Sequence, residues 1–557
     1  MRPQGGLLLD DGGGMRDSEP SWRLDRSLRS TFLPGRRHLM TLRWFKHALL
    51  GKSAAGSSPG PDPDPDPDPG SGSGSGSGPG GDFAAKLRPT AYLDGLRGFS
   101  AFIVYFHHHQ LWVHSIGPED GSGILESSYG WHGERHMATL PILRTFITGG
   151  HFAVAIFYVI SGYVLSVRTL SLLQAGEAVK AFDTVASALF RRWFRIWIPL
   201  AVTTFVYILS FHFTGMYPHS YPVKPTCAAE IWSWYTEFKN FSFLYKEGIP
   251  WLSYNMHLWT IPLEMRGSVV TYITLLTVIR APTARRLLVQ CLLIFYFLYV
   301  ADGWYVATFL AGMLQCDLDL LARRPDGAGF PSFLRRLEPH KMAIYHVLFV
   351  LAMLLSGVPS HTDKIEDLRA NPGWYWLSKL KPQAVFDPKW FFLAVAANFL
   401  VAAAARLTWL RRFLEAPFCQ WLGRISFALY LVHGPVMATI GDRVYHAVGW
   451  VRFHTPGEPD LSDWINLVPL PRGGPLGFEP AFWLPQLVLL PLTLWLAVVV
   501  TRLVDQPAIA VSAWLHKWSM GNAGPLWGAG PAAKGLAEQP LTLTTQTPET
   551  VNLLRVV

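Results

Sequence analysis

The residues best suited to chemistry stand at the two ends of one apolar stretch. Leu93-Asp94-Gly95-Leu96-Arg97-Gly98 opens it, and His107-His108-His109 lies towards its far end. Read as a helix rising about 1.5 Å per residue, this stretch puts His108 ~16 Å beyond Arg97. With Arg97 at a cytoplasmic surface, that depth is close to the middle of a bilayer about 30 Å thick. An ionisable side chain there is a functional candidate by default. A neutral imidazole, with an ordinary pKa of about 6.5, can take a proton from an alcohol without first losing its own charge. Successive side chains turn by about 100°, so the three histidines point apart and cannot jointly chelate a metal in a regular helix; no metal is expected. For His107 and His109 the plainer reading is hydrogen bonding to neighbouring helices; for His108 it is chemistry.

Further clusters follow along the chain. Arg191-Arg192-Trp193-Phe194-Arg195 precedes an apolar run, and Arg192 and Arg195, three apart, share a helix face. With Arg97 they can make a basic ring that grips phosphate, although anchoring at a positively charged membrane face explains such residues equally well. His257 and Glu264, seven apart, share a face if the segment is one helix. Glu264 then reaches a depth near that of His108, where it either orients an imidazole, binds a substrate hydroxyl or pairs with an arginine. Phe157-Tyr158-Val159-Ile160-Ser161-Gly162-Tyr163 offers small residues for close helix packing. His433, in Leu429-Tyr430-Leu431-Val432-His433, reads as a packing or hydrogen-bonding residue.

The elements that must position these groups are membrane helices. Of 557 residues, 50% are hydrophobic and 16% charged, against about 25% charged in an average soluble domain. The apolar residues are bunched into long runs, the mark of an all-α integral membrane protein. Ten spans are expected, at 99–116, 148–167, 196–215, 257–279, 287–301, 303–321, 342–358, 391–409, 418–440 and 481–503. Only Asp302 separates the fifth from the sixth. The net charge of +9 lies in short loops, among them Arg191, Arg192, Arg195, Arg280, Arg285, Arg286, Arg323, Arg324, Arg411 and Arg412. Both termini are therefore expected in the cytoplasm, and nucleic acid is not an expected partner. Residues 1–88 read as a disordered tail without a cleavable leader. Within it, 57–82 form a Pro-Asp and Gly-Ser linker, and 39–50 are a candidate amphipathic surface helix. The membrane domain is placed at 89–517 and a second tail at 518–557. Cys227, Cys291, Cys316 and Cys419 show no metal-type spacing.

Taken in order, LDGLRG with its histidines, FYVISGYVLS, RRWFRIWIP, HLWTIPLE and LGRISFALYLVH resemble the membrane-bound acyltransferase 3 family in its fungal-type branch. The resemblance covers roughly 89–517. It implies a ten-helix fold that takes an acyl group, usually acetyl from acetyl-CoA, to a hydroxyl of a carbohydrate, lipid or small molecule. The family's arginine, ten residues, histidine pattern falls on Arg97 and His108. Its Arg-x-x-Arg pattern falls on Arg192 and Arg195, and its Trp-Thr/Ser-x-x-x-Glu segment on Trp259, Thr260 and Glu264. The resemblance thus implies His108 and Glu264 as catalytic and Arg97, Arg192 and Arg195 as the acyl-CoA site. Met265 stands where many bacterial relatives carry a second acidic residue, which puts a carboxylate pair in doubt. A transporter of a small molecule or proton is the other reading that buried His and Glu permit, although no inverted repeat is visible. Whether the host membrane is an endomembrane or the plasma membrane is not indicated.

Overall fold

The structure is a computed structural model that describes residues 87–114, 139–140, 142–218, 221, 223–246, 248–360, 363–451, 460–474 and 477–521. The expected linker, the candidate surface helix, the tail up to residue 86 and the chain beyond 521 lie outside these residues. Every regular element among the described residues is helical. The longer helices are α1 (Ala91–His114), α2 (Gly150–Gln174), α3 (Ala178–Thr214), α4 (Cys227–Phe241), α5 (Thr260–Thr277), α6 (Thr283–Tyr299), α7 (Trp304–Ala322), α8 (Lys341–Leu355), α9 (Pro388–Ala404), α10 (Thr408–Leu414), α11 (Pro417–Val436), α12 (Gln486–Val500) and α13 (Gln506–Ser519).

Each expected apolar segment falls on a helix. By length and composition five helices can cross a membrane: α2, α3, α7, α8 with the turn before it, and the run Pro480–Ser519; a sixth is added if α9 and α10 count as one bent span. Four boundaries differ from expectation. Helix α3 begins eighteen residues before the expected span, so Arg191, Arg192 and Arg195 lie inside one 37-residue helix, about 55 Å long. The expected span 257–279 is two elements, a 3-10 segment at Ser253–Trp259 and then α5. Pro262 is the cause: in the first turn of α5 it needs no N–H, but its ring clashes with an α-helical carbonyl four residues upstream. Span 391–409 ends at Ala404, and α10 turns away by 96°. Span 418–440 passes at Met437–Gly441 into a π-helical turn, two residues after Pro435, which leaves a carbonyl without its helical donor. Around Asp302, α6 and α7 form a tight hairpin, and the Asp302 carboxylate accepts a bond from the Phe386 amide at 3.2 Å.

Glycines let two helix pairs touch backbone to backbone. A Cβ at Gly162 of α2 would overlap the Phe309 carbonyl of α7, and one at Gly312 of α7 would overlap the Val159 carbonyl. A Cβ at Gly98 of α1 would likewise strike the Gly423 amide of α11. Without water to drive helices together, such contacts supply dispersion that bulkier residues forfeit. Gly162→Leu is therefore expected to abolish the monodisperse peak of detergent-solubilised protein in size-exclusion chromatography. Val164→Leu, at a 50% exposed position two residues on, should leave that peak in place.

Two groups of buried or part-buried charge are paired between separate segments of the chain. Arg286 of α6 donates to both oxygens of Asp317 on α7, at 2.7 and 2.8 Å. Gln290 and Gln174 donate to the same carboxylate at 3.0 and 2.9 Å. Asp319 accepts from Arg406 at 2.5 Å and from the Tyr163 hydroxyl at 3.0 Å.

Candidate active site

Helix α1 separates its three histidines as a 100° turn per residue requires. His109 Nδ1 lies 2.6 Å from the Tyr445 hydroxyl, which also accepts from Gln486 Nε2 at 2.8 Å; Tyr105 donates to Gln486 Oε1 at 2.8 Å. His107 packs on the His151 ring of α2 at 5.1 Å between centroids. Both His107 and His109 are buried; His109 makes the interhelical hydrogen bond expected of it, whereas His107 meets α2 by ring packing.

His108 turns to a third side and meets two more imidazoles. Its Nδ1 lies 2.8 Å from His433 Nε2 of α11, with the rings nearly parallel at 9° and 4.9 Å between centroids. The His257 ring, from the 3-10 segment, is 4.1 Å from that of His108. Unlike its two neighbours, His108 keeps accessible surface.

His257 is held by a chain of contacts that begins at a proline. Pro435 has no N–H, so the Leu431 carbonyl four residues back lacks its helical donor. Asn255 Nδ2 takes that place at 3.3 Å, which turns Asn255 Oδ1 towards His257 Nδ1 at 3.2 Å. The Tyr430 hydroxyl donates to the His257 carbonyl and accepts from Thr260 Oγ1 at 2.6 Å. Gly434 leaves the room this needs: a Cβ there would stand 2.6 Å from Asn255 Oδ1 and 2.7 Å from His257 Nδ1. Gly434→Ala is accordingly expected to lower kcat for acyl transfer by about tenfold or more by displacing His257, with the chromatographic profile of the protein retained. A wild-type kcat would show that the His257 position is not used.

Three histidines converge here, yet among the described residues no group of three His, Cys, Asp or Glu side chains is arranged to hold a metal ion. His108 Nδ1 meets His433 Nε2, His433 Nδ1 faces the Leu429 carbonyl and His257 Nδ1 faces Asn255 Oδ1.

Arg97 lies towards the other end of α1, and Arg192 and Arg195 lie on α3. Arg97 Nε donates to Ser426 Oγ at 3.1 Å and its terminal nitrogen to the Gly423 carbonyl at 3.0 Å, while Asp94 pairs with it at 3.2 Å. Contacts at 97–426 and 108–433 show that α1 and α11 run in the same direction. Arg192 Nε donates to Ser268 Oγ at 2.6 Å and its terminal nitrogen to Glu264 Oε1 at 2.5 Å. Arg195 is exposed and makes no hydrogen bond or ion pair among the described residues, and it feels the charges of Arg192, Asp505 and Arg97. The three arginines therefore form one electrostatic group.

Of the arrangements open to Glu264, the structure has the ion pair. The carboxylate is bound by Arg192 and by the Ser161 hydroxyl at 2.7 Å, and no hydrogen bond among the described residues joins it to His108. Its shared face with His257 also disappears, because the helix does not extend upstream of Thr260. Two residues gain a place that sequence reasoning did not give them. His433 reads from sequence as a packing or hydrogen-bonding residue, and its hydrogen-bond partner is His108; Ser161 reads as a close-packing residue and meets Glu264. The signal for His433 is an imidazole within an apolar run, but nothing in the chain says which helix lies beside which.

The described residues thus form a helical bundle with a cluster of imidazoles inside it and a group of arginines apart from them. The chain belongs to the Acyl_transf_3 family, whose acyltransferase domain model matches residues 90–502; it is an acyltransferase. Among curated proteins it is similar to the O-acetyltransferase PaAT-1 of Phomopsis amygdali, at 28% identity over 77% of this chain and 85% of that one. It is also similar to the acyltransferase clz18 of Cochliobolus lunatus, at 23% identity over 66% and 86%. The acyltransferase R4 of a Phoma species matches at 22% over 64% and 84%. No solved structure matches.

Proposed function

We propose that this chain is a multi-pass integral membrane O-acyltransferase that transfers an acyl group, acetyl in the first instance, from acyl-CoA to a hydroxyl of a carbohydrate, lipid or small-molecule acceptor. The observation that carries the reading is the meeting of His108 of α1 with His433 of α11 and His257 of the 3-10 segment, on the helix that also bears Arg97. The O-acetyltransferase among the relatives supports acetyl as the group moved.

Arg97, Arg192 and Arg195 hold the phosphates of the donor at the cytoplasmic mouth, where guanidinium forks match phosphate geometry. Glu264 with Ser161 and Ser268 fixes Arg192 in place, so it positions the donor site rather than acting on His108. At the other end His108 works in one of two ways. As general base it accepts the acceptor hydroxyl's proton while that oxygen attacks the thioester carbonyl, and the proton then goes to the departing CoA thiolate. As nucleophile it displaces the thiolate, and the acyl-imidazole is then attacked by the hydroxyl.

In this reading ten helices cross the bilayer, both termini are cytoplasmic and the membrane domain runs from 89 to 517. The common direction of α1 and α11, first and ninth in that count, supports the topology, as does the arginine-rich start of α3.

Incubating purified protein with acetyl-CoA labelled in the acetyl group tests the activity: free CoA and label on protein or acceptor are expected. Solute movement without CoA release would replace the enzyme by a transporter. For the donor site, Arg195→Ala is expected to raise KM for acetyl-CoA by roughly tenfold or more, the worth of a lost charge-assisted bond, with kcat changed little. An unchanged KM would remove Arg195 from the donor site.

A further inference from the structure

We infer that His433 is a positioning residue that decides which nitrogen of His108 does the chemistry. The inference rests on the reading of His108 as the reacting group.

The protons can be placed because one partner has no choice. The Leu429 carbonyl oxygen lies 3.2 Å from His433 Nδ1. A carbonyl only accepts, so neutral His433 carries its hydrogen on Nδ1. Its Nε2 then holds a lone pair, and this atom lies 2.8 Å from His108 Nδ1. A hydrogen bond between two nitrogens needs one hydrogen, and His433 Nε2 has none to give. His108 therefore donates from Nδ1, and its Nε2 is left as the free base.

The chain Leu429 carbonyl, His433, His108 thus does what a second group hydrogen-bonded to a catalytic imidazole does elsewhere: it sets tautomer and ring orientation. Using a neutral ring for this avoids holding a carboxylate in apolar surroundings. His433 is 1% exposed, and its ring lies nearly parallel to that of His108 at 9°, so the contact is held by packing as well as by the bond. When the acceptor hydroxyl gives its proton to His108 Nε2, the Nδ1 hydrogen stays in the bond to His433. The Nε2 proton then passes to the CoA thiolate, and His108 returns to the same tautomer with every proton accounted for.

The test separates hydrogen-bond acceptance from shape. His433→Phe keeps a planar ring but offers no acceptor. His433→Gln carries an amide oxygen about as far from the backbone as Nε2, whereas His433→Asn carries its oxygen nearer the position of Nδ1, out of reach of His108. In purified full-length protein, His433→Phe is expected to lower kcat by roughly 10²-fold or more, the scale of a lost proton-transfer catalyst. His433→Gln should recover at least about tenfold of that, with KM for acetyl-CoA within about twofold of wild type throughout. If Phe does not yield monodisperse protein, the Gln and Asn pair decides, Gln being the faster. Equal kcat for acceptor and non-acceptor variants overturns the inference while leaving His108 in its role. Full activity in His108→Ala would instead remove the reading of the site, and this inference with it.

Discussion

Replacing His108 by alanine is expected to lower kcat for acetyl transfer by roughly 10²- to 10⁴-fold, the range a positioned acid–base group supplies. The loss should fall on kcat with little change in KM for acetyl-CoA, because under the proposed function the donor phosphates are held by the arginine group, of which Arg97 lies ~16 Å away along α1. The geometry makes the prediction specific. His107 and His109 have the same chemistry and nearly the same depth, yet their rings are packed against His151 and the Tyr445 hydroxyl. Only His108 of the three combines accessible surface with a hydrogen bond to a second imidazole. The measurement is release of CoA by purified protein of matched chromatographic quality. Wild-type turnover in His108→Ala would place the chemistry elsewhere in the bundle.

The largest effect on stability is expected from Asp317→Ala. Asp317 is fully buried, and its two oxygens accept four hydrogen bonds, from Arg286, Gln290 and Gln174. Removing the carboxylate leaves the Arg286 guanidinium buried and uncompensated, a loss of about 3–5 kcal/mol in comparable pairs. The expected readout is a marked fall in the melting temperature of the detergent-solubilised protein. Exchanging both partners for apolar residues, Arg286→Met with Asp317→Leu, should restore much of it, because no buried charge then remains. If the single and double variants melt alike, the pair contributes through packing and not through charge. Neither residue touches the histidine or arginine groups, so acetyl transfer by surviving folded protein should be close to wild type.

Much of this protein was legible along the chain because the decisive signals are local. Long apolar runs select helices, since backbone in lipid has no other partner than itself, and each run found its helix. The eleven-residue interval from Arg97 to His108 translates into depth because helical rise is constant. Arg192 and Arg195 were grouped by spacing, and they remain grouped in space. Gly162 was suspected as a close-packing position, and it abuts α7.

What only the tertiary structure decided is who faces whom. Spacing gave His257 and Glu264 a common face, but Pro262 ends α5 just upstream and the two part company. His257 goes to the imidazole cluster through Asn255, and Glu264 goes to Arg192 through charge. His433 reads as a packing or hydrogen-bonding residue, but its partner is not legible because 325 residues separate the two. The parallel contact of α1 and α11, made possible by Gly98 and Gly423, closes that distance. Composition and period determine that helices form and how deep each residue sits, since these depend on neighbours along one chain. The choice of partner depends on small residues, freed carbonyls and buried charges that meet only after the helices have assembled.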